Sequence, residues 1–193
     1  MTADADPKET LKRRLDAVRN ALIGKVEDLP EREARLPRTP TGTNLIGIVK
    51  HCLNVEAIYL GDTFGRPFPQ ADELIPLDHY QVDPQVDWYA TEDETVAGII
   101  DLYRRVIAHA NATIDALDLD TVGEVKHWGD TPVTLHEIAT YTYGDIAQHA
   151  GQADILREGI DGAAGWLSRD DNVPQSVDFP AYVAKLTELA ERF

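Results

Sequence analysis

Apolar residues recur at steps of three and four through most of this chain, and the longest such stretch, residues 134–162, predicts one long helix. Its stripe runs through Leu135, Ile138, Thr142, Ile146, Ala150, Ala153 and Leu156, a spacing that gathers them on one helical face. Thr134 and Glu137 form a capping box at its start, and Gly159 and Gly162 suit left-handed caps at its end. The same spacing predicts an earlier helix from Pro7, capped by Asp6, through Leu11, Leu15, Val18, Leu22 and Val26 to about Leu29. A second starts at Thr43 or Asn44, runs to Phe64 and aligns Ile48, Val55 and Ile58. A third opens with a capping box at Thr91 and Glu94, and its stripe continues through Val96, Ile99, Ile100, Tyr103, Val106, Ala110, Ile114 and Leu117. A last short helix is expected over residues 180–192, with Val183, Leu186 and Leu189 inward.

The segments between these helices read as irregular. Residues 31–43 carry Pro37, Pro40 and Gly42 and predict a loop that also holds Arg32, Arg35 and Arg38. Residues 65–90 contain Pro67, Pro69, Pro76 and Pro84 and form a connection too long for a plain turn; such loops are often functional. Trp88 and Tyr89 at its end are expected to dock on the bundle. Residues 119–133 predict a polar turn region. The alternation in VDPQVDW is too short and too proline-broken for a strand. The pattern predicts an all-α fold, a four-helix bundle with crossover loops and a short C-terminal helix, as one domain over residues 1–193.

Charge narrows the partners. With 18 basic against 34 acidic residues the net charge is −16, which argues against nucleic acid and anionic membrane surfaces, since both need a positive footprint. No apolar run is long enough for a membrane-spanning helix. Cys52 stands alone, so no disulfide framework exists, and the N-terminal MTADADPKETLKRR lacks the apolar core of a signal peptide. The expectation is a cytoplasmic protein whose partner is a small molecule.

Polar side chains interrupt the apolar faces at three places. Asp145 and His149 lie four apart on the long helix and therefore on one side of it, and His51 falls between Ile48 and Val55 on the second helix. A buried carboxylate is costly unless paired, protonated or bound to a metal. Two histidines and a carboxylate from facing helices would hold a divalent ion with coordination positions left open, the pattern of a catalytic site. The bland alternative is that Asp145 hydrogen-bonds Tyr141 or a neighbouring helix and His149 is a satisfied core histidine. His79, His109, His127 and His136 are expected to be solvated or locally bonded, and Cys52 to be a small core residue. No Walker loop, nucleophile elbow, dinucleotide fingerprint or C-x-x-C motif is present.

Two segments carry a resemblance. Asp145-Ile-Ala-Gln-His149-Ala-Gly-Gln152-Ala-Asp-Ile-Leu-Arg157-Glu-Gly-Ile-Asp161-Gly162 is similar to a run H-A-G-H-A-D-x-L-R-E-x-I-D-G. Asn44-Leu-Ile-Gly47-Ile-Val-Lys50-His51-Cys-Leu-Asn-Val-Glu56 is similar to S-L-x-G-L-V-K-H-L-x-x-V-E. Both patterns belong to the actinobacterial branch of the DinB/YfiT-like metalloprotein superfamily that includes mycothiol-dependent maleylpyruvate isomerase. The resemblance implies a four-helix bundle holding a divalent metal, often zinc or nickel, with His51, Asp145 and His149 as ligands. Asp145 replaces a glutamate of that branch and is one methylene shorter, which draws the metal toward the helix or places a water between them. Gln152 stands where the branch often has histidine, and is read as a group behind the ligands.

The function implied is a divalent-metal-dependent transferase or isomerase that uses mycothiol or a similar low-molecular-weight thiol, the metal lowering the pKa of the bound thiol or water. The arginines of residues 31–43 are then expected to bind a carboxylate of thiol or substrate. Two further readings stay open: a non-catalytic bundle that binds metal or a small molecule through a degenerate site, and a structural homodimer in which an exposed helix face pairs with a second copy.

Overall fold

The computed structural model describes residues 6–129, 131–169, 171 and 173–193. In chain order its elements are α1 (Pro7–Gly24), α2 (Glu31–Arg35), α3 (Leu45–Tyr59), α4 (His79–Val82), α5 (Val96–Ala116), β1 (Val122–Glu124), β2 (Pro132–Thr134), α6 (Leu135–Asp161) and α7 (Phe179–Ala190), with short 3-10 turns at Asp62–Phe64, Ala71–Glu73 and Lys126–Trp128. The four long helices α1, α3, α5 and α6 make an all-α bundle. α6 packs on α1 and α3, and α3 packs also on α5. Leu15, Leu22, Leu45, Ile48, Leu53, Tyr103, Ile114, Leu135, Ile138 and Ile146 fill its core. Each such aliphatic side chain contributes about 1.5–3 kcal/mol by leaving water. Among the described residues no helix is long and apolar enough to cross a membrane.

Local chemistry sets the helix ends. Asp6 accepts from Lys8 N–H at the start of α1, Asn44 from Gly47 N–H at α3, and Thr134 from Glu137 N–H at α6. Gly162, at φ 75°, ends α6 in the left-handed conformation, which glycine adopts without a Cβ penalty. The capping box at Thr91 is displaced. Glu94 reaches back to Thr91 N–H at 2.6 Å, but the helix begins only at Val96, capped by Thr95.

Several segments differ from the periodic expectation. α1 stops at Gly24 and continues as turns. The supposed loop over residues 31–43 contains α2, and α3 ends at Tyr59. The turn region over residues 119–133 holds a two-stranded antiparallel hairpin that pairs Val122 with Thr134 and Glu124 with Pro132. Three-residue strands are too short to show alternation in the sequence. The hairpin is recognisable instead by packing: a Cβ at Gly123 would lie 2.4 Å from Thr63 O, so only glycine lets β1 approach that turn. β2 runs straight into α6, and the carbonyls of Thr121 and Leu119 accept from Leu135 and His136 N–H.

α7 is the largest correction. Val183, Leu186 and Leu189 are not inward but 58%, 46% and 41% exposed, and no residue of α7 is buried. Its periodicity is real, yet the core is filled by the four long helices and α7 contributes no residue to it.

One ion pair lies inside the bundle. Arg19 of α1 and Glu56 of α3, both fully buried, meet at 2.6 Å. Asp16 and Asn111 take the other end of the guanidinium, and Tyr103 donates to Glu56. The network joins α1, α3 and α5 one turn beyond His51.

Candidate metal centre

His51 projects from α3 toward α6 because it lies on the same face as Ile48 and Val55, which the core claims. Asp145 and His149 project back from α6 for the same reason. His149 is buried, and Asp145 and His51 are partly so. One potential ligand atom of each lies within 4.8 Å of the others, the one such convergence of three acidic, histidine or cysteine side chains among the described residues. The His51 and His149 rings meet edge to face at 5.0 Å between centroids, and Asp145 Oδ1 is 3.7 Å from His149 Nε2.

Both imidazoles are oriented from behind. His51 Nδ1 lies 2.8 Å from Asp87 Oδ2, and His149 Nδ1 lies 2.9 Å from Gln152 Oε1. A carboxylate and an amide oxygen only accept, so each Nδ1 donates and Nε2 is the nitrogen of each ring left to ligate. That is the tautomer a metal-ligating histidine needs. Tyr80 adds a second donor to Asp87 Oδ2 at 3.1 Å, and Trp88 stacks on the His51 ring at 4.1 Å.

The residues fit a divalent ion. Asp145 Oδ2 is buried without a hydrogen-bond partner, the costly state that a cation relieves. Ligand bonds of about 2.0–2.2 Å require neighbouring donors roughly 3–3.5 Å apart, so donors that spread up to 4.8 Å here would close somewhat on an ion. The shorter aspartate still lies in the same group as both histidines.

Sequence reasoning found His51, Asp145, His149 and the supporting Gln152. It did not find Asp87 or Tyr80, which lie on irregular chain where no periodicity fixes a side chain's direction. His127 is exposed, as expected, and its ring also borders the cavity beside His51, its Nε2 3.3 Å from the Tyr59 hydroxyl. Burial pushes the Tyr59 and Tyr80 phenols up, helped by Tyr141 and Asp87 respectively, so both remain O–H donors at neutral pH.

Cys52 is the core residue expected, while the arginines of residues 31–43 are not where expected. Cys52 is fully buried, and burial raises its thiol well above the ordinary range, so it is neither nucleophile nor ligand. His109 contacts Arg66 O at 2.7 Å. The arginines of residues 31–43 are committed elsewhere: Arg32 and Arg38 pair with Glu33, and Arg35 pairs with Glu31 and donates to the carbonyls of Ala90, Thr91 and Glu94. Arg35 thus ties α2 to the approach to α5, while Arg32 and Arg38 stay with Glu33.

Residues 10–162 match the family described as "MST: Mycothiol-S-transferase". The match spans the four bundle helices and every site residue above, and leaves out α7. No curated protein matches the chain.

Proposed function

The chain belongs to the mycothiol-S-transferase family, and from that membership and the site geometry we propose that it joins the sulfur of mycothiol to a small electrophile at a divalent metal held by His51 Nε2, Asp145 and His149 Nε2. Two imidazoles and a carboxylate suit zinc or nickel. Such an ion lowers the pKa of a coordinated thiol and keeps the thiolate available near neutral pH. The chain's own residues then do the rest. Asp87 and Gln152 hold the imidazoles in register, Trp88 covers one face of His51, and the cavity beside His51 seats the acceptor next to the sulfur. A C–S bond forms with the sulfur's electron pair, the leaving group departs with the pair of the bond it breaks, and the thiol proton passes to solvent.

The observation that carries this reading is the convergence of three ligand atoms within 4.8 Å around a buried, unpartnered carboxylate oxygen. Elemental analysis of the purified protein beside His149→Ala tests the metal. The expected result is about one equivalent of zinc or nickel in the wild type and little in the variant. Turnover of mycothiol with an electrophile is expected to vanish in His51→Ala. A protein that takes up no metal, or a His51→Ala variant with undiminished turnover, overturns the reading.

A further inference from the structure

We infer that the cavity beside His51 takes the acceptor, and that this acceptor is an uncharged, apolar molecule of aromatic size. The inference rests on the proposed transfer reaction and names its second substrate class.

The cavity holds about 500 Å³, room for a substituted ring. Val55 and Ile58 follow His51 at the fourth and seventh positions along α3, so they share its face and form an apolar floor directly beside the ligand. Leu77 closes the opposite side from the long connection, and the Tyr59 and Tyr80 rings line the flanks. Tyr59 also belongs to an aromatic cluster with His127, Trp128 and Tyr141, at 5.3–5.8 Å between ring centroids. Flat apolar faces of this kind stack on a flat apolar guest.

Charge excludes the alternative. Among the described residues no lysine or arginine lines the cavity, whereas the buried carboxyl of Asp87 does. A carboxylate seated there would lose its water and gain no cationic partner. The arginines of residues 31–43 do not line this cavity and are paired with Glu31 and Glu33 of α2. A polar co-substrate has a better place nearby: Trp88 borders a separate hollow of about 440 Å³ with Thr41, Thr43, Asn44 and Gln85. Inside the apolar cavity, the Gln81 amide, the His127 imidazole and the phenols provide hydrogen bonds enough for one neutral polar substituent on the guest.

Equilibrium dialysis of the full chain against para-nitrobenzyl alcohol and para-nitrobenzoate tests this. Prior treatment with a chelator leaves the benzoate no ion to ligate. The wild type is expected to bind the alcohol about tenfold or more tightly than the benzoate. Val55→Phe, which fills the floor, is expected to lose alcohol binding while its melting curve stays cooperative. Leu77→Lys, at a half-exposed rim position, is expected to shift the preference toward the benzoate. Equal affinities, a wild-type preference for the benzoate, or alcohol binding untouched by Val55→Phe overturns the inference. The expected binding pattern without mycothiol turnover leaves the cavity's preference standing and brings down the transferase reading. Turnover that uses para-nitrobenzyl chloride and para-(chloromethyl)benzoate equally well does the reverse.

Discussion

Asp87 Oδ2 accepts a hydrogen bond from His51 Nδ1 at 2.8 Å, joining two residues 36 positions apart. The contact fixes the tautomer and the ring direction of a proposed metal ligand from a loop that itself has no regular structure at that point. Partners of this kind typically account for 10–100-fold in metal affinity. Asp87→Asn is therefore expected to weaken metal binding by roughly that factor with the fold intact, measured by competition against a chromogenic chelator. An unchanged affinity would mean the pairing does nothing for the ligand.

Gly47 governs the same loop by a different route. A Cβ there would sit 1.9 Å from Trp88 O and 2.5 Å from Trp88 C, backbone atoms that cannot swing aside. Gly47→Ala must push the Trp88 segment off α3, and with it the carboxylate of Asp87. Overpacking of this kind costs about 1–3 kcal/mol. Chemical denaturation should register that loss, and chelator competition should show weaker metal binding in the same variant.

The Arg19–Glu56 pair is expected to respond asymmetrically. Removing one partner, as in Glu56→Leu, leaves the buried guanidinium only the half-exposed Asp16 as counter-charge and should cost about 3 kcal/mol. Replacing both, Arg19→Met with Glu56→Leu, should recover most of that loss, because the desolvation penalty disappears with the charges. Urea midpoints of the two variants decide the matter; a double variant as unstable as the single one would show that shape, not charge, dominates at this place.

Glu94 makes stability depend on acid. Burial alone would raise its carboxyl, but the Lys50 ammonium at 2.9 Å and the Thr91 N–H outweigh burial, so the folded group titrates below its ordinary 4.5. As the pH falls, the unfolded chain takes up this proton first, and folding loses the contribution progressively below the ordinary value. Above it the contribution is complete. The stability gap between wild type and Glu94→Gln should therefore stay constant from about pH 7 to 6 and narrow below about pH 4.5. A gap that is flat down to pH 3 would refute the coupling.

α7 should be dispensable to the bundle. No residue of it is buried, and the family match ends at Gly162. Deleting residues 179–193 is expected to change the unfolding free energy by less than about 0.5 kcal/mol, the range of surface changes. A larger loss, read by thermal or urea unfolding, would mean that α7 covers part of the bundle in solution.

The long helices were legible because an amphipathic stripe and its caps are local facts: Asp6, Asn44, Thr134 and Gly162 act at the ends their residue types suggest. His51, Asp145 and His149 were legible as candidates for the same reason, since helical spacing alone states which face a side chain shares. α7 shows the limit, because its stripe is as periodic as the others and only the filled bundle decides that it stays outside. Asp87 and Tyr80 were hidden, since off the long helices the direction of a side chain is set by contacts distant in sequence. Gly47 left a trace. A lone glycine inside a strongly apolar helix costs about 1 kcal/mol against alanine, and here a close backbone approach explains it.

The connection between Phe64 and Ala90 is moored at both ends to the helix it leaves. Asn54 of α3 accepts from Ile75 N–H, while Asn44 donates to Trp88 O and Lys50 to Tyr89 O. Between the moorings lie Leu77, Tyr80 and Gln81, the outer wall of the cavity beside His51. The segment is thus a cassette: its middle can be rewritten, in length or in side chains, while its fastenings, Asp87 and the three residues on α3 and α6 stay put. A lineage, or an engineer, wishing to reshape that cavity would find about ten consecutive positions to edit, with the residues of the candidate metal centre left out of the revision.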